Sequence, residues 1–210
     1  MKPTTNILFL AAAASLLMNS ADAANLIKNG SFETPVVAVG GYELFSTGDT
    51  FAGWKVVGAN GNVAVVSGTF TQNGFTFPAA GGSQWLDLTG VSQTATGIQQ
   101  TIATAAGTAY TLTFYIGNAD DPGGIFGITS TVNVLVDGQQ VFTATNSRGA
   151  GQPKQVWQKF TTTITATAAH TVIAFINGDP SNDTNNGLDL ISLVEQADEP
   201  PADIAPSDQN

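Results

Sequence analysis

The stretch Val132-Asn-Val-Leu-Val-Asp-Gly-Gln-Gln-Val-Phe-Thr143 decides the fold class. Val132, Val134 and Val136 alternate with Asn133 and Leu135, the period of a strand whose successive side chains point to opposite faces. The run stops at Asp137-Gly138, two residues that tolerate positive φ. A second extended run, Gln-Gln-Val-Phe-Thr, follows at once. That order predicts a β-hairpin.

The same period recurs on both sides of this hairpin. Tyr110-Thr-Leu-Thr-Phe114 alternates polar and apolar residues, and Phe160, Thr162 and Ile164 do so again. Thr171 to Ile176 is a near-continuous β-branched and aromatic run, the composition of a strand buried on both faces. Leu188 to Val194 closes the series. Upstream, Asn60-Gly61 between Trp54–Val57 and Val63–Val66 predicts another hairpin. The expected total is ten or eleven strands joined by loops rich in Gly, Asn and Asp, with no internal repeat. The Ala-rich stretches Ala103–Ala106 and Ala166–Ala169 carry interspersed Thr and predict turns rather than helices. The expectation is an all-β jelly-roll sandwich of two antiparallel sheets.

The ends of the chain have a different composition. Lys2, the short apolar run from Ile7 to Met18 and the small-x-small triplet Ala21-Asp22-Ala23 form the three-part pattern of a signal peptide over residues 1–23. The run is too short to span a bilayer, so an exported protein, extracellular or periplasmic, is expected. Residues 24–195 are expected to form a single domain. From residue 196 to 210 the chain is acidic and rich in proline, and a disordered tail is expected.

The 210 residues include no cysteine and carry a formal charge of −10. A domain of this size needs no disulfide to fold, and a cysteine-free exported chain suits a bacterial source. The negative charge argues against nucleic acid and against anionic membrane surfaces as partners.

Few residues suggest catalysis. There is no thiol, and His170 is the single histidine. A nucleophilic triad needs a base with an orienting partner, and a zinc site needs several Cys or His ligands. A glycosidase needs two carboxylates at a set separation. Glu33, Glu43, Asp49, Asp87, Asp120, Asp121, Asp179, Asp183 and Asp189 are the candidates, most of them beside turn formers. Calcium takes oxygen ligands. Glu33 and Asp189 lie near the two ends of the domain, and sandwich termini often meet. The run Asp179-Pro-Ser-Asn-Asp-Thr-Asn185 is either a second cation loop or an Asx-rich turn.

Aromatic residues are the other chemical resource. Sugar rings present apolar C–H faces that stack on aromatic rings, while amides and carboxylates bind their hydroxyls. Trp54 and Trp157 start predicted strands and are assigned to the core. Phe126 sits in the Gly-rich loop that begins at Asp120, where binding residues concentrate. The expected ligand site, on a loop end or a sheet face, is Trp85, Asn118, Asp120 and Phe126.

Several segments together resemble a known family. Asn25-Leu-Ile-Lys-Asn-Gly-Ser-Phe-Glu33 is similar to the opening strand of galactose-binding-like jelly rolls. Gly53-Trp-Lys-Val56, Gln84-Trp-Leu-Asp-Leu88, Gly97-Ile-Gln-Gln-Thr-Ile102 and Gly107-Thr-Ala-Tyr-Thr-Leu-Thr-Phe114 follow in order. Gly187-Leu-Asp-Leu-Ile-Ser-Leu193 resembles the closing strand. The series is similar to domain-of-unknown-function family 642 and to carbohydrate-binding modules of the 4/9/22 type. The resemblance implies a secreted, non-catalytic protein that binds cell-wall or other extracellular polysaccharide. It also implies a structural calcium held by Glu33 and Asp189. Two other readings stay open: a structural matrix or adhesive surface protein, and a polysaccharide hydrolase or lyase using a carboxylate pair.

Overall fold

The computed structural model describes residues 24–179 and 185–197. The expected signal peptide, residues 198–210 of the expected tail and the middle of the Asp179–Asn185 run lie outside the described residues.

Fourteen strands are described. They are β1 (Tyr42–Ser46), β2 (Thr50–Phe51), β3 (Trp54–Gly58), β4 (Asn62–Ser67), β5 (Thr71–Gln72), β6 (Phe75–Thr76) and β7 (Gln84–Asp87), then β8 (Thr96–Ala103), β9 (Ala109–Asn118), β10 (Ser130–Val136), β11 (Gln139–Asn146), β12 (Val156–Thr165), β13 (His170–Asn177) and β14 (Gly187–Glu195). Three have only two residues, and the remaining eleven match the number expected. One sheet runs β1-β4-β7-β14-β9-β12, the other β11-β10-β13-β8-β3-β2, and β5-β6 forms a small hairpin of its own. All strand pairs within the two large sheets are antiparallel. The architecture is the expected jelly-roll sandwich. No helix among the described residues is long and apolar enough to cross a membrane.

Alternation places the core. Val63, Val65, Leu86, Leu88, Leu112, Phe114 and Ile116 point inward from the first sheet. They meet Val56, Ile98, Val132, Val134, Ile173 and Phe175 from the second. Phe114 and Phe175 close edge to face across the sandwich, 5.3 Å between centroids. The run from Thr171 is a central strand as expected, with β13 paired to β10 and β8. Asp137 (φ 50°) and Gly138 (φ 81°) make the predicted tight turn between β10 and β11. The two Ala-rich stretches are turns that bind one another, Thr104 N–H to Ala169 O and Gly107 N–H to Ala166 O.

One expected hairpin is absent. β3 belongs to the second sheet and β4 to the first, so Asn60-Gly61 carries the chain between sheets instead of folding it back. Neither residue has positive φ. Gly61 serves close packing: a Cβ there would collide with Thr94 Oγ1 and lie 2.5 Å from Ser92 Oγ.

The two ends of the domain meet on β14, as expected for a sandwich. Leu26 N–H bonds Leu193 O, and Asn25 Oδ1 accepts from Leu193 N–H. Trp54 is core, fully buried, and its indole N–H bonds Asn29 O at 3.0 Å.

Candidate functional site

The outer face of the first sheet carries a second apolar cluster. Ala64 and Val66 of β4 and Trp85 of β7 alternate away from the main core and pack with Phe77 and Phe126. Two segments fold over them. One is the β5–β6 hairpin, turned by Asn73 (φ 51°) and Gly74 (φ 82°). The other is the loop after β9, which carries Ile125 and Phe126. Phe126 meets Phe75 at 5.2 Å and Phe77 at 5.1 Å, both edge to face. Phe77 stacks on Trp85 at 6.2 Å.

Between these segments lies a cleft of about 320 Å³. Its floor is Ala64, Val66, Trp85 and Asp87; its walls include Tyr42, Phe70, Phe77 and Phe126. Gln72, Gln93 and Asn185 add amides. The mouth exposes apolar surface: Tyr42 is 49% exposed, Val91 61% and Ile125 44%.

Register explains why an acid stands on this floor. Leu44, Ala64, Asp87, Gly187, Gly117 and Trp157 form one row across six strands. The two glycines leave room for the Trp157 indole and the Gln155 amide. A Cβ on Gly117 would lie 2.6 Å from Gln155 Cδ and 2.9 Å from Trp157 Cη2. The Trp157 N–H bonds Pro78 O at 2.7 Å, so this side chain completes the outer-face cluster rather than the main core expected for it. Asp87 is 8% exposed. Its Oδ1 accepts from Thr89 Oγ1 at 2.7 Å, Thr89 N–H at 3.0 Å and Asn186 N–H at 3.2 Å. Burial pushes the carboxyl up to about 6, against the pull of those donors.

The predicted ligand residues divide. Trp85 and Phe126 line the cleft, though both are nearly buried, at 1% and 3%. Trp85 also gives its indole N–H to Phe77 O at 3.1 Å. Asn118 is interior, 0% exposed: its Nδ2 donates to Ser130 Oγ and its Oδ1 accepts from Gly149 N–H. Those bonds tie the two sheets and leave the amide committed. Asp120 lies at the root of the loop and outside the cleft lining, and its Oδ1 is buried without a partner among the described residues. Tyr42 and Gln93 were not foreseen as site residues, and Asp87 only as one of nine candidate carboxylates for a catalytic pair. The alternation Ala64/Val66 and Trp85/Asp87, both pointing away from the core-facing residues, was the available signal. His170 is an exposed residue at the start of β13.

The two acids expected to hold calcium do converge. Glu33 Oε1 accepts from Ser83 N–H at 2.8 Å and Gln84 N–H at 3.0 Å. Asp189 is fully buried; its Oδ2 accepts from Ala80 and Gly81 N–H, its Oδ1 from Leu190 N–H. Burial, with the negative charge of Glu33 as a smaller contribution, pushes Asp189 up to about 7. Glu33 Oε2 has no hydrogen bond among the described residues. No group of three or more His, Cys, Asp or Glu side chains among the described residues could hold a metal. A cation here would therefore draw most of its six to eight oxygens from backbone carbonyls and water. Of the Asp179–Asn185 run, Asp179 Oδ2 is buried without a hydrogen-bond partner among the described residues, and Asn185 lines the cleft.

Residues 25–191 match the family model described as protein of unknown function (DUF642). The chain belongs to the DUF642 family. No curated protein matches this DUF642 chain. Among solved structures it is similar to a cyclase from Fischerella sp. TAU, with a TM-score of 0.60 and 22% identity over 84% of this chain and 99% of that one. That likeness is one of fold. Weaker likenesses are to a family 35 carbohydrate binding module from Clostridium thermocellum (TM-score 0.45, 15% identity, 73% and 97% covered) and to one from Paenibacillus barcinonensis (0.42, 13%, 73% and 99%).

Proposed function

We propose that this DUF642 chain is an exported, non-catalytic protein that binds an extracellular or cell-wall glycan in the outer cleft of its first sheet. The cleft itself carries the reading. Aromatic walls suit the C–H faces of sugar rings, the Gln72 and Gln93 amides and one carboxylate suit their hydroxyls, and the volume falls in the usual range for small-ligand pockets. An exposed apolar rim around a concave, acid-bearing floor marks a binding surface. Binding is favoured over hydrolysis because Asp87 is the single carboxylate lining the cleft among the described residues. A glycosidase uses two, about 5 to 9.5 Å apart.

A calcium ion at Glu33 and Asp189 belongs to the same proposal. Its support is the meeting of two like charges, one of them buried, and the uncommitted Glu33 Oε2. The ion would neutralise the pair and hold loop 79–84 against β14; ligand binding is not routed through it.

The test is affinity electrophoresis of the chain, freed of residues 1–23, through gels containing neutral and acidic polysaccharides. Retardation by at least one glycan, weakened in Tyr42→Ala, supports the proposal. Free migration in every gel contradicts it.

A further inference from the structure

We infer that the cleft accepts glycans without acidic groups and rejects uronic acids, and that Asp87 imposes this rule. The inference deepens the carbohydrate reading of the same cleft and rests on it.

The argument begins with how Asp87 is held. Three donors hold Oδ1, and the Gly90 backbone N–H adds to the pull on the carboxylate, which keeps it in the floor. Asp87 lines the cleft, and Oδ2, which those three bonds leave unengaged, is the oxygen we assign to the ligand. An ionised oxygen there accepts a strong hydrogen bond from a sugar hydroxyl. It repels a sugar carboxylate, and more strongly in a site walled by aromatic rings than in water. Above about pH 6 the group is charged.

Among the described residues, nothing in the cleft offsets that charge: those lining it include no Lys or Arg. Uronate recognition ordinarily needs such a group, ideally the paired N–H donors of Arg. The other polar groups are uncharged: the amides of Gln72, Gln93 and Asn185 and the Tyr42 hydroxyl. The loop that supplies Ile125 and Phe126 adds further acid. Asp121 Oδ2 accepts from Ile125 N–H at 3.1 Å, which sets its charge beside the cleft wall. Lys154 joins the β5–β6 hairpin through its backbone bridge to Thr76 and is not among the lining residues.

The experiment is titration calorimetry at pH 8 with oligosaccharides of a neutral glucan, galactan and xylan, and with oligogalacturonate. It is run in low salt and at about 0.5 M salt, where charges beyond several Å are screened and the overall charge of −10 no longer steers binding. The wild type is expected to bind a neutral sugar at least tenfold tighter than the uronate in both salts. Asp87→Asn keeps Oδ1 as an acceptor and is expected to shrink that gap at least tenfold. Gln72→Lys, on an exposed rim position, is expected to shrink it without touching the buried network, and decides the matter if Asp87→Asn unfolds. Equal or tighter uronate binding by the wild type overturns the inference. So does a gap that disappears at high salt, or one that both variants leave unchanged. Binding of neither class is a different failure: it removes the carbohydrate reading itself, and the inference with it.

Discussion

Glu33 and Asp189 grip one loop from two sides, Glu33 through the N–H groups of Ser83 and Gln84, Asp189 through those of Ala80 and Gly81. Residues more than 150 positions apart thus fix the segment that leads into β7 and sets the depth of Trp85 and Asp87. Desolvation is the cost: burial pushes Asp189 up to about 7, and Asp87 in the strand that the loop leads into up to about 6.

That cost gives a pH dependence with a definite sign. Asp87 titrates at about 6 and Asp189 at about 7 when folded, against 3.8 ordinarily. Between about pH 4 and 7 the folded chain therefore binds more protons than the unfolded one, and stability falls as pH rises, then levels off. The melting temperature is expected to be several degrees higher at pH 5 than at pH 8. Asp189→Asn, which cannot ionise, is expected to flatten the upper part of this slope. An unchanged slope in that variant would show that Asp189 is not its source.

A calcium ion bound at this pair, as proposed, would compete with the proton. Its stabilising effect, read as the difference in melting temperature between added calcium and chelator, is expected to be larger at pH 8 than at pH 5. Binding to the folded state alone adds about 2.7 kcal/mol at a hundred times the dissociation constant. No effect at either pH would remove calcium from the account.

Gly117 is expected to tolerate no side chain. A Cβ there would press on Gln155 and Trp157, and overpacking of this kind costs about 1 to 3 kcal/mol. Gly117→Ala should lower stability by that amount in denaturant unfolding and shift Trp157 fluorescence as the indole is displaced. Unchanged stability would mean that the row across the outer face has slack.

The β5–β6 hairpin forms one wall of the cleft through Phe70, Gln72 and Phe77. Gly74 holds φ at +82° with open space where a Cβ would sit. Gly74→Ala therefore adds backbone strain without a clash, about 1 to 2 kcal/mol. It is expected to loosen the wall and weaken glycan binding more than it lowers the melting temperature of the whole sandwich. Equal binding by the variant would separate the hairpin from the site.

Two Asn-Gly pairs show how far local sequence reaches. Asn73-Gly74 adopts positive φ at both residues and turns a hairpin, while Asn60-Gly61 does not and passes between sheets. The dipeptide permits a turn; which strands lie beside it is set by distant partners, here β8 for β3 and β7 for β4. Strands such as β10, β11 and β13 were legible because their period is local. The convergence of Glu33 and Asp189 was legible because the chain ends of a sandwich meet. The cleft was harder to read. Trp85 and Phe126 signal aromatic surface, but Asn118 looks like a ligand group and is an internal tie between sheets. Asp87 joins the floor through a register over β4, β7 and β14 that no single segment encodes.

The most direct test of the central claim is the affinity of the best-binding oligosaccharide for wild type and for Tyr42→Ala, measured by calorimetry. Tyr42 is half exposed at the cleft mouth, so its loss should spare the fold. The account predicts affinity at least tenfold lower in the variant, with an unchanged melting temperature. Equal affinity would place the glycan elsewhere on the molecule and contradict the assignment of the cleft.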